Sequence, residues 1–156
     1  MSARGIRLLE TADGQIRELI DLFSTSGDAV LSRPCPGREK LGDGTVAACA
    51  LHTADSYGRI ARFLDGREQS GHERNYQAEK VDVREVLELL SAGRRALSGL
   101  AYLTDQQLDG VPPASDMKFC DGKRSLEQIV TNLLNHQSHN ADVLKAAILS
   151  GTENAR

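Results

Sequence analysis

Residues 125–150 read SLEQIVTNLLNHQSHNADVLKAAILS. Leu126, Ile129, Val130, Leu133, Leu144, Ala147 and Ile148 recur at steps of three and four, the period of an α-helix with one buried face. Ser125 stands ahead of the first apolar residue as its N-cap, and Gly151 is where the helix should stop. Two histidines and an asparagine interrupt this apolar frame. On a helical wheel centred near Leu126 and Leu144, Gln137 falls about 20° from the centre of the stripe, Asn140 about 40°, His136 about 80° and His139 about 140°. The two histidines are therefore not equivalent. His139 faces solvent, and the inward-facing pair is His136 with Asn140, at i and i+4.

The same period recurs upstream. Leu9, Ile16, Leu19, Ile20, Phe23 and Val30 form a first stripe that the STSG run at 24–27 bends or interrupts and that ends at Pro34 and Pro36. A second helix starts after GDGT with Thr45 as N-cap, buries Val46, Cys49, Ala50, Tyr57, Ile60, Ala61 and Leu64, and stops at Gly66. It is about 30 Å long at about 1.5 Å per residue. A third runs from Asp82 to Leu103 on Val83, Val86, Leu87, Leu90, Leu97 and Leu100. No run of period-two alternation bounded by hairpin turns is found, so the chain reads as all-α, a single domain of four helices over residues 1–156. The connection at 67–79 could extend about 40 Å, enough to start the third helix parallel to the second, so an up-down-up-down order is not forced. The 104–124 connection is long and is expected to cover a cleft or pack as an irregular cap.

Composition narrows the function. With 156 residues, 40% apolar and 4 prolines, the chain is the size of one compact domain. Its 19 Lys and Arg against 22 Asp and Glu give a net charge of −3, without the cationic footprint that nucleic acid or an anionic membrane selects, and neither partner is expected. No signal-peptide core or stretch of roughly 20 apolar residues is present, which points to a cytoplasmic protein. Cys35, Cys49 and Cys120 are odd in number, widely spaced and without a CxxC pair, and read as free thiols.

GTVAACALHTADSYGRIARFL, with His52 seven residues after the capping Thr45, together with SLEQIVTNLLNHQSHNADVL, resembles the DinB/YfiT-like four-helix-bundle family over residues 40–150. That family includes thiol-dependent S-transferases and relatives of the mycothiol-dependent maleylpyruvate isomerase. The resemblance implies an up-down-down-up fold, a homodimer, and a divalent metal such as zinc or nickel held by one histidine of the second helix and an i, i+4 pair of the last. Carried over, the ligands are His52, His136 and residue 140. Residue 140 is Asn140, whose neutral amide oxygen is a poor third donor for zinc or nickel. His139, Cys49 and Asp55 lie near enough in sequence to substitute, though none matches the family pattern.

Two functions stay open at this point. In one, a metal on His52 and His136 activates a low-molecular-weight thiol or water, Asn140 is a weak ligand or an orienter, and the 104–124 segment covers the pocket of a thiol transferase or isomerase. In the other, His52, His136 and Asn140 are a hydrogen-bonded network in a metal-free pocket for a small ligand, or in a stress-associated dimeric module without catalysis. Arg94 falls within about 20° of the centre of the third stripe, where burying an unpaired guanidinium would be costly, so it should snorkel, find an acid such as Asp21, or meet a bound anion. Cys120, between Lys118 and Lys123, sits where positive charge would favour the thiolate, while Cys49 has nothing basic beside it in sequence. The charged run around His72 reads as solvated surface.

Overall fold

The computed structural model describes residues 1–67 and 81–154, with side chains placed through residue 150. Among these described residues five α-helices follow one another: α1 (Ala3–Ser24), α2 (Val46–Leu64), α3 (Val83–Ala96), α4 (Asp105–Asp109) and α5 (Leu126–Asn154). Two 3-10 segments, Asp28–Ser32 and Leu97–Tyr102, accompany them among the described residues. The chain is all-α: among the described residues there is no strand, and Pro34 and Thr45 make an isolated antiparallel bridge.

Helix starts follow side-chain chemistry. The hydroxyl of Thr45 accepts from the Ala48 N–H at 3.3 Å, and Ser125 accepts from the Gln128 N–H at 3.2 Å while Gln128 Oε1 accepts from the Ser125 N–H at 2.8 Å. Helix ends depart from the sequence reading. α1 stops at Ser24 because Thr25 and Ser26 turn their hydroxyls back onto the Leu22 carbonyl, at 3.1 and 2.7 Å, so Val30 is buried from a 3-10 turn rather than from the α1 stripe. α3 tightens to 3-10 geometry after Ala96 while its buried face continues through Leu97 and Leu100. α5 runs through Gly151 to Asn154, a glycine inside a helix costing only about 1 kcal/mol relative to alanine. Within the expected 104–124 connection, Thr104 and Gln107 form a capping box that starts α4.

α4 buries Leu108 and is tied down by Arg4 of α1, whose guanidinium reaches Asp109 at 2.6 Å and Glu127 of α5 at 3.1 Å. α2 is the central element. It buries residues on every side and packs against α3, α5 and the 28–32 turn, while α1 packs against α3, α5 and the 97–102 turn. Close approach needs two glycines. A Cβ on Gly93 would stand 2.9 Å from Cβ of Tyr57, and one on Gly5 would stand 2.4 Å from the Leu100 carbonyl oxygen. A polar ladder crosses the interior: Tyr57 donates to Gln15 Oε1 at 2.8 Å, Gln15 Nε2 to the Leu134 carbonyl at 3.0 Å, and Gln137 Nε2 to the Thr53 carbonyl at 2.6 Å. Each amide thus finds a partner inside the core, and α1, α2 and α5 are held in one register.

The expected connection at 67–79, on which the helix order turned, lies outside the described residues from 68 onward, as does His72. No helix among the described residues is long and apolar enough to cross a membrane.

Candidate functional site

A cavity of about 80 Å³ opens between α2, α5 and the segment that follows α4. His52, Ser56, Arg59 and Ile60 line it from α2; Leu133, His136 and Gln137 from α5; Met117 and Lys118 from the segment. Positions 52, 56, 59 and 60 stand at i, i+4, i+7 and i+8, one face of α2. On α5, Gln137 and Asn140 are buried, His136 is half-buried and His139 is exposed, the order the wheel gives. His52, 7% exposed, and His136 therefore open on one interior space, and the charge of His52 acts on the His136 ring.

The surroundings of this pair are cationic. Lys118 Nζ lies 3.4 Å from His136 Nε2. Lys118 is carried by a strained turn: Phe119 adopts φ of +69°, a left-handed conformation disfavoured for a bulky residue, and Gly122 follows at +77°. The ring of Phe119 lies under two cations, Lys118 at 5.6 Å and Arg124 at 5.7 Å. Burial holds the pKa of His136 below the ordinary histidine value, and Lys118, His52, Arg38 and His139 lower it further. Ser56 has committed its hydroxyl to the His52 carbonyl at 2.6 Å. Among the described residues that line the cavity, none is acidic.

Asn140, 1% exposed, lies one turn beyond His136. Its Oδ1 accepts two hydrogen bonds from Arg38 of the loop before α2, from Nε at 3.0 Å and Nη2 at 2.8 Å, and its Nδ2 has no hydrogen-bond partner among the described residues. The one atom of Asn140 able to coordinate a cation is already engaged by a guanidinium, and a second cation, Lys118, stands at Nε2 of His136. As arranged, His52, His136 and Asn140 do not fit a divalent transition metal ion. Among the described residues, no group of three His, Cys, Asp or Glu side chains is placed to hold one.

Arg94 is not among the residues lining this cavity. It is half-exposed and forks onto Asp13 of α1 through Nε and, at 3.3 Å, through Nη2. The buried face of α3 is Val83, Val86, Leu90 and Gly93, continued by Leu97 and Leu100. Gly93 carries no hydropathy signal, so the wheel drawn from apolar residues alone swings toward Leu87 and brings Arg94 too close to the centre. Asp13, rather than Asp21, is the acid it meets. Cys120 also departs from expectation. It is buried, and desolvation raises its thiol pKa, with the neighbouring Asp121 adding to the rise; Lys118 is turned away to the cavity.

Sequence reasoning missed Arg38, Arg59 and Lys118 as neighbours of the histidines. Arg59 was legible as the i+7 partner of His52 on α2. Lys118 lay in the segment expected to cover a cleft. Nothing local to Arg38 indicated that it would cross to a residue 102 positions away. No known protein family, curated protein or solved structure matches the chain.

Proposed function

We propose that this chain is a metal-free four-helix bundle of DinB-like build that binds a small anion, of the class of inorganic phosphate, sulfate or a short carboxylate, in the cavity shared by His52 and His136. The bundle reading is supported by the packing of α1 and α2 each against both α3 and α5. The resemblance of the α2 and α5 segments to that family adds the expectation of a pocket at this place between the helices.

The observation that carries the anion reading is the makeup of the cavity wall. Lys118, Arg59, His52 and His136 converge on it from three segments, and no acidic side chain is among its described lining residues. A cation would enter against this field, whereas an anion would find charge-assisted donors. The small volume selects an ion of a few heavy atoms. Binding would also oppose the depression of the His136 pKa, because negative charge beside the ring favours its protonated form.

Calorimetric titration of the full chain with sulfate, which does not titrate near neutrality, tests this. Saturable binding at one site is expected, tighter as the pH falls from 8 to 6, and weakened about tenfold, or about 1.4 kcal/mol, in Lys118→Ala and in His136→Ala. Absence of saturable binding of sulfate, phosphate and acetate would remove the proposal. Zinc or nickel co-purifying near one equivalent, and lost in His136→Ala, would replace it with the metal-dependent thiol transferase.

A further inference from the structure

Two of the three cysteines meet in the interior. Cys35 lies between Pro34 and Pro36 in the loop ahead of α2, and Cys49 lies in the first turn of α2. Both side chains are 0% exposed, and they lie close enough that each perturbs the titration of the other. The backbone enforces the meeting. The Cys35 N–H donates to the Gly44 carbonyl at 2.9 Å and the Val46 N–H donates to the Arg33 carbonyl at 2.8 Å, which folds the loop back as an antiparallel bridge against the start of α2. On the far side of Cys49, the Thr53 hydroxyl lies 4.0 Å from its sulfur. Arg38 follows in the same turn as Cys35, its N–H donating to the Cys35 carbonyl at 3.0 Å.

We propose that Cys35 and Cys49 are a redox-active dithiol, oxidised to a disulfide by hydrogen peroxide and returned to two thiols by a small-molecule thiol. Two features separate the roles of the sulfurs. Cys35 lies on the loop, with Arg38 in the same turn, and is the sulfur that peroxide meets first, whereas Cys49 is held in the first turn of α2 and burial keeps it protonated. The Cys35 thiolate attacks one peroxide oxygen. The O–O bond breaks and hydroxide leaves as water with a proton from solvent, giving the sulfenic acid of Cys35. The sulfur of Cys49 then attacks Cys35, the S–O bond breaks, and the hydroxyl departs as a second water with the Cys49 proton. Two thiols and one peroxide yield one disulfide and two waters. Full burial selects the oxidant: a molecule of two heavy atoms can reach the pair through a brief opening of the loop, and a bulky disulfide is held off. In reduction, two small thiols give up their hydrogens and form their own disulfide as the protein pair is restored.

The cleanest test is a peptide map of the full chain after treatment with hydrogen peroxide under native conditions, followed by denaturation and alkylation. The expected product has lost two hydrogens and keeps one alkylatable thiol, Cys120. Trypsin, which can cut between the pair at Arg38 and Lys40, should leave a Cys35–Cys49 cross-link that dithiothreitol dissolves. Cys120→Ser should oxidise as the parent does, and in Cys49→Ser the Cys35 sulfenic acid should accumulate and be trapped by dimedone. Oxidised glutathione should form the cross-link at least tenfold more slowly than peroxide. Because either cysteine variant could fold poorly, the map of the unsubstituted chain decides. Peroxide that consumes Cys120 while Cys35 and Cys49 stay alkylatable, or that carries the pair to sulfinic acids without joining them, would overturn the proposal.

Discussion

His136 shows how much of this site is set one side chain at a time. Its pKa lies below the ordinary 6.5 through burial first and the Lys118 ammonium second. The unfolded chain therefore takes up the proton before the folded one as the pH falls, so this residue leaves stability unaffected above about pH 6.5 and lowers it below. Lys118→Ala should move the His136 pKa upward, read from its ring protons by NMR, and should soften the acid-side loss of stability. A pKa unchanged in that variant would leave burial and the remaining charges, His52, Arg38 and His139, as its causes. Arg94 behaves oppositely. Its ion pair with Asp13 is half-exposed, so Arg94→Ala should cost less than about 1 kcal/mol in urea unfolding and leave sulfate binding in the cavity unchanged. A loss of binding in that variant would connect the two sites. The inward turn of Gln137 and Asn140 was legible in the 3.6-residue period, whereas the partner of Asn140 was not, because a hydrogen bond from a loop 102 positions away leaves no trace in local pattern.

Among the elements, α2 and α3 carry the tightest approach. Gly93 lets the α3 backbone rest on Tyr57, and a methyl group there would stand 2.9 Å from Cβ of that residue with only side-chain and backbone shifts to relieve it. Gly93→Ala is therefore expected to destabilise by about 1 to 3 kcal/mol despite alanine's better helix propensity. Chemical unfolding checks this, and a neutral or stabilising result would mean the two helices can separate without loss. The helix starts were readable because a capping hydroxyl acts within one turn, as at Thr45 and Ser125. The helix ends were less so. α1 stops through Thr25 and Ser26, and α4 exists through the Thr104–Gln107 box, both local features overshadowed by the search for long apolar stripes. The stripe of α3 was displaced for a different reason, since its decisive packing residue is a glycine.

At the scale of the whole molecule, the loop from Arg33 to Thr45 joins three regions. It seats Cys35 on Cys49, sends Arg38 to Asn140, and through that charge reaches His136. Closing Cys35 to Cys49 would tie off a loop of about 15 residues, which in the chain-entropy account is worth about 3 kcal/mol. Peroxide-treated protein should accordingly resist urea better than reduced protein, and Cys35→Ser should show no such difference. A lower midpoint in the oxidised form would mean that the disulfide strains the native packing. From its amino-acid order alone the chain established helices with definite faces, their caps, and the inward direction of Gln137 and Asn140, because these depend on period and on contacts within a turn or two. Which side chains share a space was decided only by the tertiary structure. The pairing of Cys35 with Cys49, the capture of the Asn140 oxygen by Arg38 and the placement of Lys118 beside His136 all arise where separate segments are forced together by burial of the core, and pairwise chemistry at such meetings is invisible to any reading confined to one helix at a time.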